Sequence, residues 1–182
     1  MFFKYFKKII TSTHNLEIFP SEKWSENIYS EKTKTTKKHS NPGWWNLGSK
    51  GIIEGEIIAG HLGSIISLFA TGYISTLKSK ILFIECDSET STKEFLSQLM
   101  TITLLPDAHK LSGLMIGRFP TMCGIDLTTL KHYLEISKLF QQIPILANLD
   151  FGHTSPKFTI PVGGTAIVST ISGQERIKFV EH

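Results

Sequence analysis

A chain of 182 residues with 41% hydrophobic side chains is long enough for one ordinary domain with a real core, or for one domain and an appendage. Its net charge of +3 is modest, and the lysines gather at Lys4 to Lys8 and Lys32 to Lys38 without a platform of interleaved aromatics, which argues for solvated surface and against a nucleic-acid partner. The two cysteines, Cys86 and Cys123, have neither metal-ligand spacing nor the density of a secreted disulfide scaffold, so a reducing compartment, the cytoplasm, is expected.

The N-terminal MFFKYFKKIITST lacks an uninterrupted apolar stretch and a small-residue cleavage site, so it reads as neither a signal peptide nor a membrane segment. Phe2, Phe6, Ile9 and Ile10 fall at helical spacing and predict an amphipathic helix with no evident partner in the chain. Leu16 to Phe19 reads as a short strand ended by Pro20, followed by a polar run from Ser21 to Asn41 that reads as a linker or long loop. Pro42-Gly43-Trp44-Trp45 closes it. Adjacent tryptophans on an extended backbone point to opposite sides, so at least one of Trp44 and Trp45 is a candidate for a surface, an interface or a binding site.

From Gly51 the pattern is an apolar strand, a glycine turn around Gly60 and Gly63, and a short helix through Leu68. The turn carries neither a dinucleotide-binding nor a P-loop fingerprint. Lys80 to Ile84 is a polar start followed by a continuous apolar run, the mark of a strand buried on both faces, and it delivers Glu85 at its C-terminal end. Ser91 begins a helix with Glu94 three residues on as a capping-box candidate. Leu114 to Ile116 is a further buried strand ending in Gly117-Arg118-Phe119, and Asp126 caps a helix whose face is Leu127, Leu130, Leu134, Ile136 and Phe140. Ile143 to Leu149 is a strand running into Asp150-Phe151-Gly152-His153, and Thr165 to Thr170 with Arg176 to Val180 predict a closing hairpin.

Strands alternating with helices predict an α/β domain with a buried, largely parallel sheet, in which ligands gather at the C-terminal strand ends. Glu85 and His153 both stand at such ends. A carboxylate held against an imidazole fixes its tautomer and stabilises the imidazolium, the supporting half of a nucleophilic triad. The residues alone leave other readings open: Glu85 as a helix cap or surface ion-pair partner, and His153 and His61 as ordinary loop histidines. No G-x-S-x-G elbow supplies a nucleophile, and no HExxH or HxxxH pattern supplies a metal site. Cys86 follows Glu85 on the strand and therefore points to the opposite face.

KILFIE ending at Glu85, GLMIGRF from Gly113 and IPILANLDFGHTSPKFTIPVGG from Ile143 resemble the LD-carboxypeptidase family of serine peptidases, which includes the microcin C self-immunity proteins. The likeness extends upstream through LEIFPSEKWSEN, Pro42 to Trp45 and EGEIIAGHLGSI. It implies a Ser-His-Glu triad in which Glu85 is the carboxylate and His153 the base, placed on a swivelling β/β/α-type C-terminal domain. The serine belongs to a separate N-terminal α/β domain with no counterpart here. On this resemblance, residues 1–47 correspond to the last helix of that domain plus an inter-domain linker, and residues 48–182 to the C-terminal domain. The family's Gly-Gly-Asn turn, close to substrate, becomes Ala59-Gly60-His61, which makes His61 a substrate-binding candidate beside Trp44 and Trp45.

The resemblance implies a peptide, muropeptide or peptide-nucleotide substrate, no cofactor or metal, a dimer in the complete family member, and a separately encoded Ser-bearing domain as a partner. This chain alone is then expected to be inactive. The alternative is a non-catalytic binding module, or the product of a truncated reading frame.

Overall fold

The computed structural model describes residues 2–11, 15–26 and 38–181. In chain order these form α1 (Phe2–Thr11), β1 (Leu16–Ile18), β2 (Lys23–Glu26), β3 (Lys38–Ser40), β4 (Trp45–Gly48), β5 (Ile52–His61), α2 (Leu62–Ala70), β6 (Lys80–Glu85), α3 (Thr92–Thr101), β7 (Gly113–Gly117), α4 (Leu127–Ile136), α5 (Lys138–Gln142), β8 (Pro144–Leu149), β9 (Thr154–Ser155), β10 (Thr165–Ser169) and β11 (Arg176–Glu181). Eight strands make the main sheet in the order β1-β11-β10-β5-β6-β7-β8-β4, and β3-β2-β9 make a small second sheet.

The four central strands β5 to β8 run parallel, the last three on near-continuous apolar sequences, while β1, β11, β10 and β4 join antiparallel at the flanks. The sheet is therefore mixed, with its parallel character confined to the centre. Along β6 the side chains alternate between two cores. Leu82 and Ile84 enter a cluster with residues of α2 to α5, such as Phe95, Leu130 and Phe140. Ile81 and Phe83 enter a second cluster on the other face with Phe151, Phe158, Phe179 and Ile9 of α1.

Two helices start as their sequences predict. The Ser91 hydroxyl accepts from the Glu94 amide at 3.2 Å, and the Asp126 carboxylate accepts from the Thr129 amide at 2.7 Å. Elsewhere tertiary contacts override the local pattern. No glycine turn separates β5 from α2, because Gly60 and His61 remain in the sheet opposite Ile84 and Glu85 and the helix begins at the next residue. The predicted helix through Phe140 breaks at the buried Ser137, leaving Leu127 and Ile136 exposed while Leu130, Leu134 and Phe140 are buried.

The polar run after Pro20 is not wholly a loop, since β2 and β3 lie within it. They are held by an indole–imidazole stack of Trp24 on His39, 4.6 Å between centroids, and by the Glu26 carboxylate, which accepts from the Thr121 amide at 2.9 Å. Residues 27–37, with most of the second lysine cluster, lie outside the described residues. Of the predicted apolar face of α1, Ile9 packs into the second core, whereas Phe6 and Ile10 remain exposed. No described helix is long and apolar enough to cross a membrane.

Candidate active site

The C-terminal ends of β6 and β8 bring Glu85 and His153 together across 68 residues of sequence. His153 Nδ1 lies 2.6 Å from Glu85 Oε2. The carboxylate is largely enclosed, its side chain 12% accessible, whereas the imidazole is 52% accessible and faces outward. With Nδ1 donating to the carboxylate, Nε2 carries the lone pair on the exposed side of the ring. Among the described residues no serine is hydrogen-bonded to that nitrogen.

Two glycines make this approach possible. Gly152 has φ +93°, and a Cβ there would sit 2.8 Å from Glu85 Oε2 and 2.9 Å from Glu85 Cβ. A Cβ on Gly117, at the end of β7 between the two strands, would sit 2.8 Å from the Phe151 carbonyl oxygen and 3.0 Å from Glu85 Cβ. The carboxylate, the strand between and the histidine loop are thus packed with no room for another carbon.

His61 ends β5 directly opposite Glu85 in the parallel register. Its Nε2 is 3.5 Å from Thr90 Oγ1, which donates to Asp87 Oδ1 at 2.9 Å. Asp87 also accepts from the amides of Glu89 and Thr90, and these bonds, the Thr90 hydroxyl foremost, hold its carboxyl below the usual range, with His61 adding a smaller electrostatic contribution. His61 therefore shares the strand-end surface with the dyad.

Trp44 and Trp45 do point to opposite sides, Trp44 packing against the second core and Trp45 against the first. Both line a cleft of about 560 Å³ between β4 and the helices α4 and α5, with Leu127, Lys131 and Phe140. Neither Glu85 nor His153 lines that cleft, so the cleft and the acid–base pair are separate features.

Beneath the dyad, Cys86 turns away from Glu85 as expected and lies 3.6 Å from Cys123, sulfur to sulfur, with both thiols buried. Burial foremost, then the neighbouring Cys123 thiol, pushes the Cys86 thiol well above its ordinary value, which makes it a poor nucleophile. Among the described residues no group of three or more His, Cys, Asp or Glu converges on a metal position.

Sequence reasoning missed a buried polar network behind the histidine. Arg118, at the end of β7, pairs with Asp150 at 2.6 Å, and Asp150 also accepts from the Ser21 amide and hydroxyl. Its signal was an arginine and an aspartate at the ends of otherwise apolar strands, and nothing local joins them.

A mixed α/β sheet with a carboxylate–imidazole pair at its parallel strand ends has the arrangement by which a carboxylate orients a histidine and stabilises its charged form. Residues 54–168 match the LD-carboxypeptidase C-terminal domain, and the chain belongs to that family. It is 32% identical over 179 residues to YocD of Bacillus subtilis (strain 168), whose name assigns it provisionally to the carboxypeptidases; the match covers 98% of this chain and 55% of that protein. It is 30% identical over 150 residues to the microcin C7 self-immunity protein MccF of Escherichia coli, covering 78% of this chain and 42% of MccF.

Among solved structures, an MccF-like protein from Bacillus anthracis str. Ames superimposes with a TM-score of 0.93 at 31% identity, over 99% of this chain and 55% of that one. An MccF-like protein from Streptococcus pneumoniae, solved in complex with AMP, gives 0.78 at 26% identity, over 97% and 56%. The chain spans about half the length of the relatives it matches.

Proposed function

We propose that this chain is the acid–base half of a serine carboxypeptidase-type hydrolase that cleaves an amide bond in a muropeptide (LD-tetrapeptide) or a microcin C-like peptide-nucleotide. The observation that carries this reading is the exposed His153 ring held at 2.6 Å by the enclosed Glu85 carboxylate. In that arrangement Nε2 takes the proton of a serine hydroxyl as its oxygen attacks the amide carbonyl, and then delivers it to the departing amine. Water subsequently hydrolyses the acyl-serine by the same route, while Glu85 stabilises the imidazolium in both steps.

The nucleophile in this reading comes from a Ser-bearing α/β domain outside the chain, encoded separately or upstream, and the chain alone does not turn substrate over. Residues 1–47 then act as the last helix of that domain plus the inter-domain linker, residues 48–182 as the C-terminal domain, and the complete enzyme is a cytoplasmic dimer. His61, beside Glu85, borders the substrate in this reading, whereas Trp44 and Trp45 line the separate cleft. In support, the relatives are roughly twice as long as the match, and one MccF-like neighbour was solved with AMP.

The test is to purify the chain and assay it, with and without the N-terminal half of YocD, for release of terminal D-alanine from a muramoyl tetrapeptide and for cleavage of a peptide-nucleotide amide. Turnover is expected only in the mixture, and His153→Ala is expected to lower it by about 10⁴-fold or more. Turnover by the chain alone would overturn the missing-nucleophile reading. A mixture that binds the muropeptide or the peptide-nucleotide without cleaving either would replace the hydrolase by a binding module.

A further inference from the structure

We infer that Arg118 and Asp150 are positioning residues that set His153 at hydrogen-bonding distance from Glu85, with Ser21 as their anchor outside the parallel strands. The inference rests on the reading of His153 as the base. The Arg118 and Asp150 side chains are 2% and 3% exposed, and Arg118 Nη2 lies 2.6 Å from Asp150 Oδ1. The Ser21 amide donates to Asp150 Oδ2 at 2.9 Å and its hydroxyl to Oδ1 at 2.6 Å. Arg118 Nε donates to Asn148 Oδ1 at 3.1 Å, and the guanidinium lies over the Trp24 ring, 5.4 Å from its centroid.

Enclosing two ions in the interior carries a desolvation cost that apolar side chains of similar volume would avoid, so a mere brace between strands does not need them. Their location supplies the reason. Asp150 stands three residues before His153, and its carbonyl oxygen accepts from the Phe158 amide at 2.8 Å, so one residue fixes both the start and the return of the loop that carries the imidazole. Arg118 directly follows β7, which pairs with β6 on one side and β8 on the other. Gly117 sets how closely Glu85 and Phe151 can approach, and the next residue draws the loop onto the sheet. Asn148, left-handed at φ +59°, turns the end of β8 into this arrangement and donates to the Gly43 carbonyl at 2.7 Å. The ion pair therefore ties the end of β7, the strand beside Glu85, to the start of the loop that carries His153.

The test reads the Glu85–His153 hydrogen bond itself, by imidazole proton and nitrogen NMR of the whole chain. A strong bond of this kind shows a slowly exchanging, downfield Nδ1 proton. Asp150→Asn and Ser21→Ala are expected to stay folded by their amide spectra yet lose or weaken that signal, and Arg118→Lys, which keeps the charge, to retain part of it. Asn46→Ala is the control: it removes two bonds, to the Thr170 carbonyl and the Glu175 carboxylate, and is expected to lower stability while leaving the signal in place.

An unchanged Nδ1 proton in folded Ser21→Ala and Asp150→Asn would overturn the inference. So would its equal loss in Asn46→Ala, since the effect would then follow stability alone. None of these readings depends on turnover, so failure of the hydrolase proposal in the mixing assay and failure of this one are separate results.

Discussion

Replacing Gly152 by alanine tests the site's geometry with one carbon. The residue has φ +93°, and the added Cβ would lie 2.8 Å from Glu85 Oε2 and 2.9 Å from Glu85 Cβ. A carboxylate oxygen can rotate away, but Glu85 Cβ is fixed by a strand hydrogen-bonded on both sides, so the loop must move instead. Holding a non-glycine residue in such a conformation costs about 1–3 kcal/mol. For a chain of this size that corresponds to a fall of roughly 2–12 °C in Tm. Urea and thermal unfolding give the stability, and the Nδ1 proton of His153 reports whether the hydrogen bond survives. The expected outcome is a folded, less stable protein whose dyad is broken. Wild-type stability together with an intact Nδ1 signal would refute the argument that this glycine is required by the closeness of Glu85.

Three further outcomes follow from the packing and charges. Phe83→Ala removes a fully buried ring touching Phe151 and Phe179, and should cost about 3–5 kcal/mol by urea unfolding. Asp126→Ala removes the cap of α4 and should lower the urea midpoint slightly, with the sheet's amide spectrum unchanged. Asp87, Asp107, Asp126 and Glu175 are all held below their ordinary values, the first three chiefly by hydrogen bonds from Thr90, Lys110 and Thr129 in turn, and Glu175 by Asn46. Lowered folded-state values stabilise the protein above the unfolded carboxylate range, and that contribution disappears as pH falls through the folded values. Unfolding free energy should therefore be flat above about pH 5 and decline below about pH 4.

The elements most legible in the sequence were those whose neighbours are supplied by the pattern itself. KILFI, LMI and PILANL are apolar without alternation because helices or a second core cover both their faces, and Ser91 and Asp126 announce their helices through bonds to residues three positions on. The strands β2 and β3 were not legible, because their partners are a tryptophan–histidine stack, Thr121 and the segment after His153, none of them close in sequence. The break at Ser137 was hidden for a similar reason, since the helical spacing continues through it and only packing shows where the axis changes. The pairing of Glu85 with His153 emerged from the family resemblance; spacing alone left each with an ordinary explanation. Arg118 and Asp150 escaped both approaches, because an ion pair closed across two strands leaves no periodic trace.

The small sheet gives the histidine an unusual mechanical setting. Strand β8 of the main sheet ends at Leu149 and β9 of the small sheet begins at Thr154, so residues 150–153 join these two strands, a connection as short as residues 19–22 and 41–44 between the same sheets. The strands on either side are committed by backbone hydrogen bonds to different sheets. A rotation of one sheet against the other finds little slack in connections of four residues, and the one that carries His153 shares the torsion with the other two. His153 is the last residue of that connection. Its ring is thus tied through four residues of backbone to strands of both sheets, so the seating of the small sheet bears on where the imidazole stands.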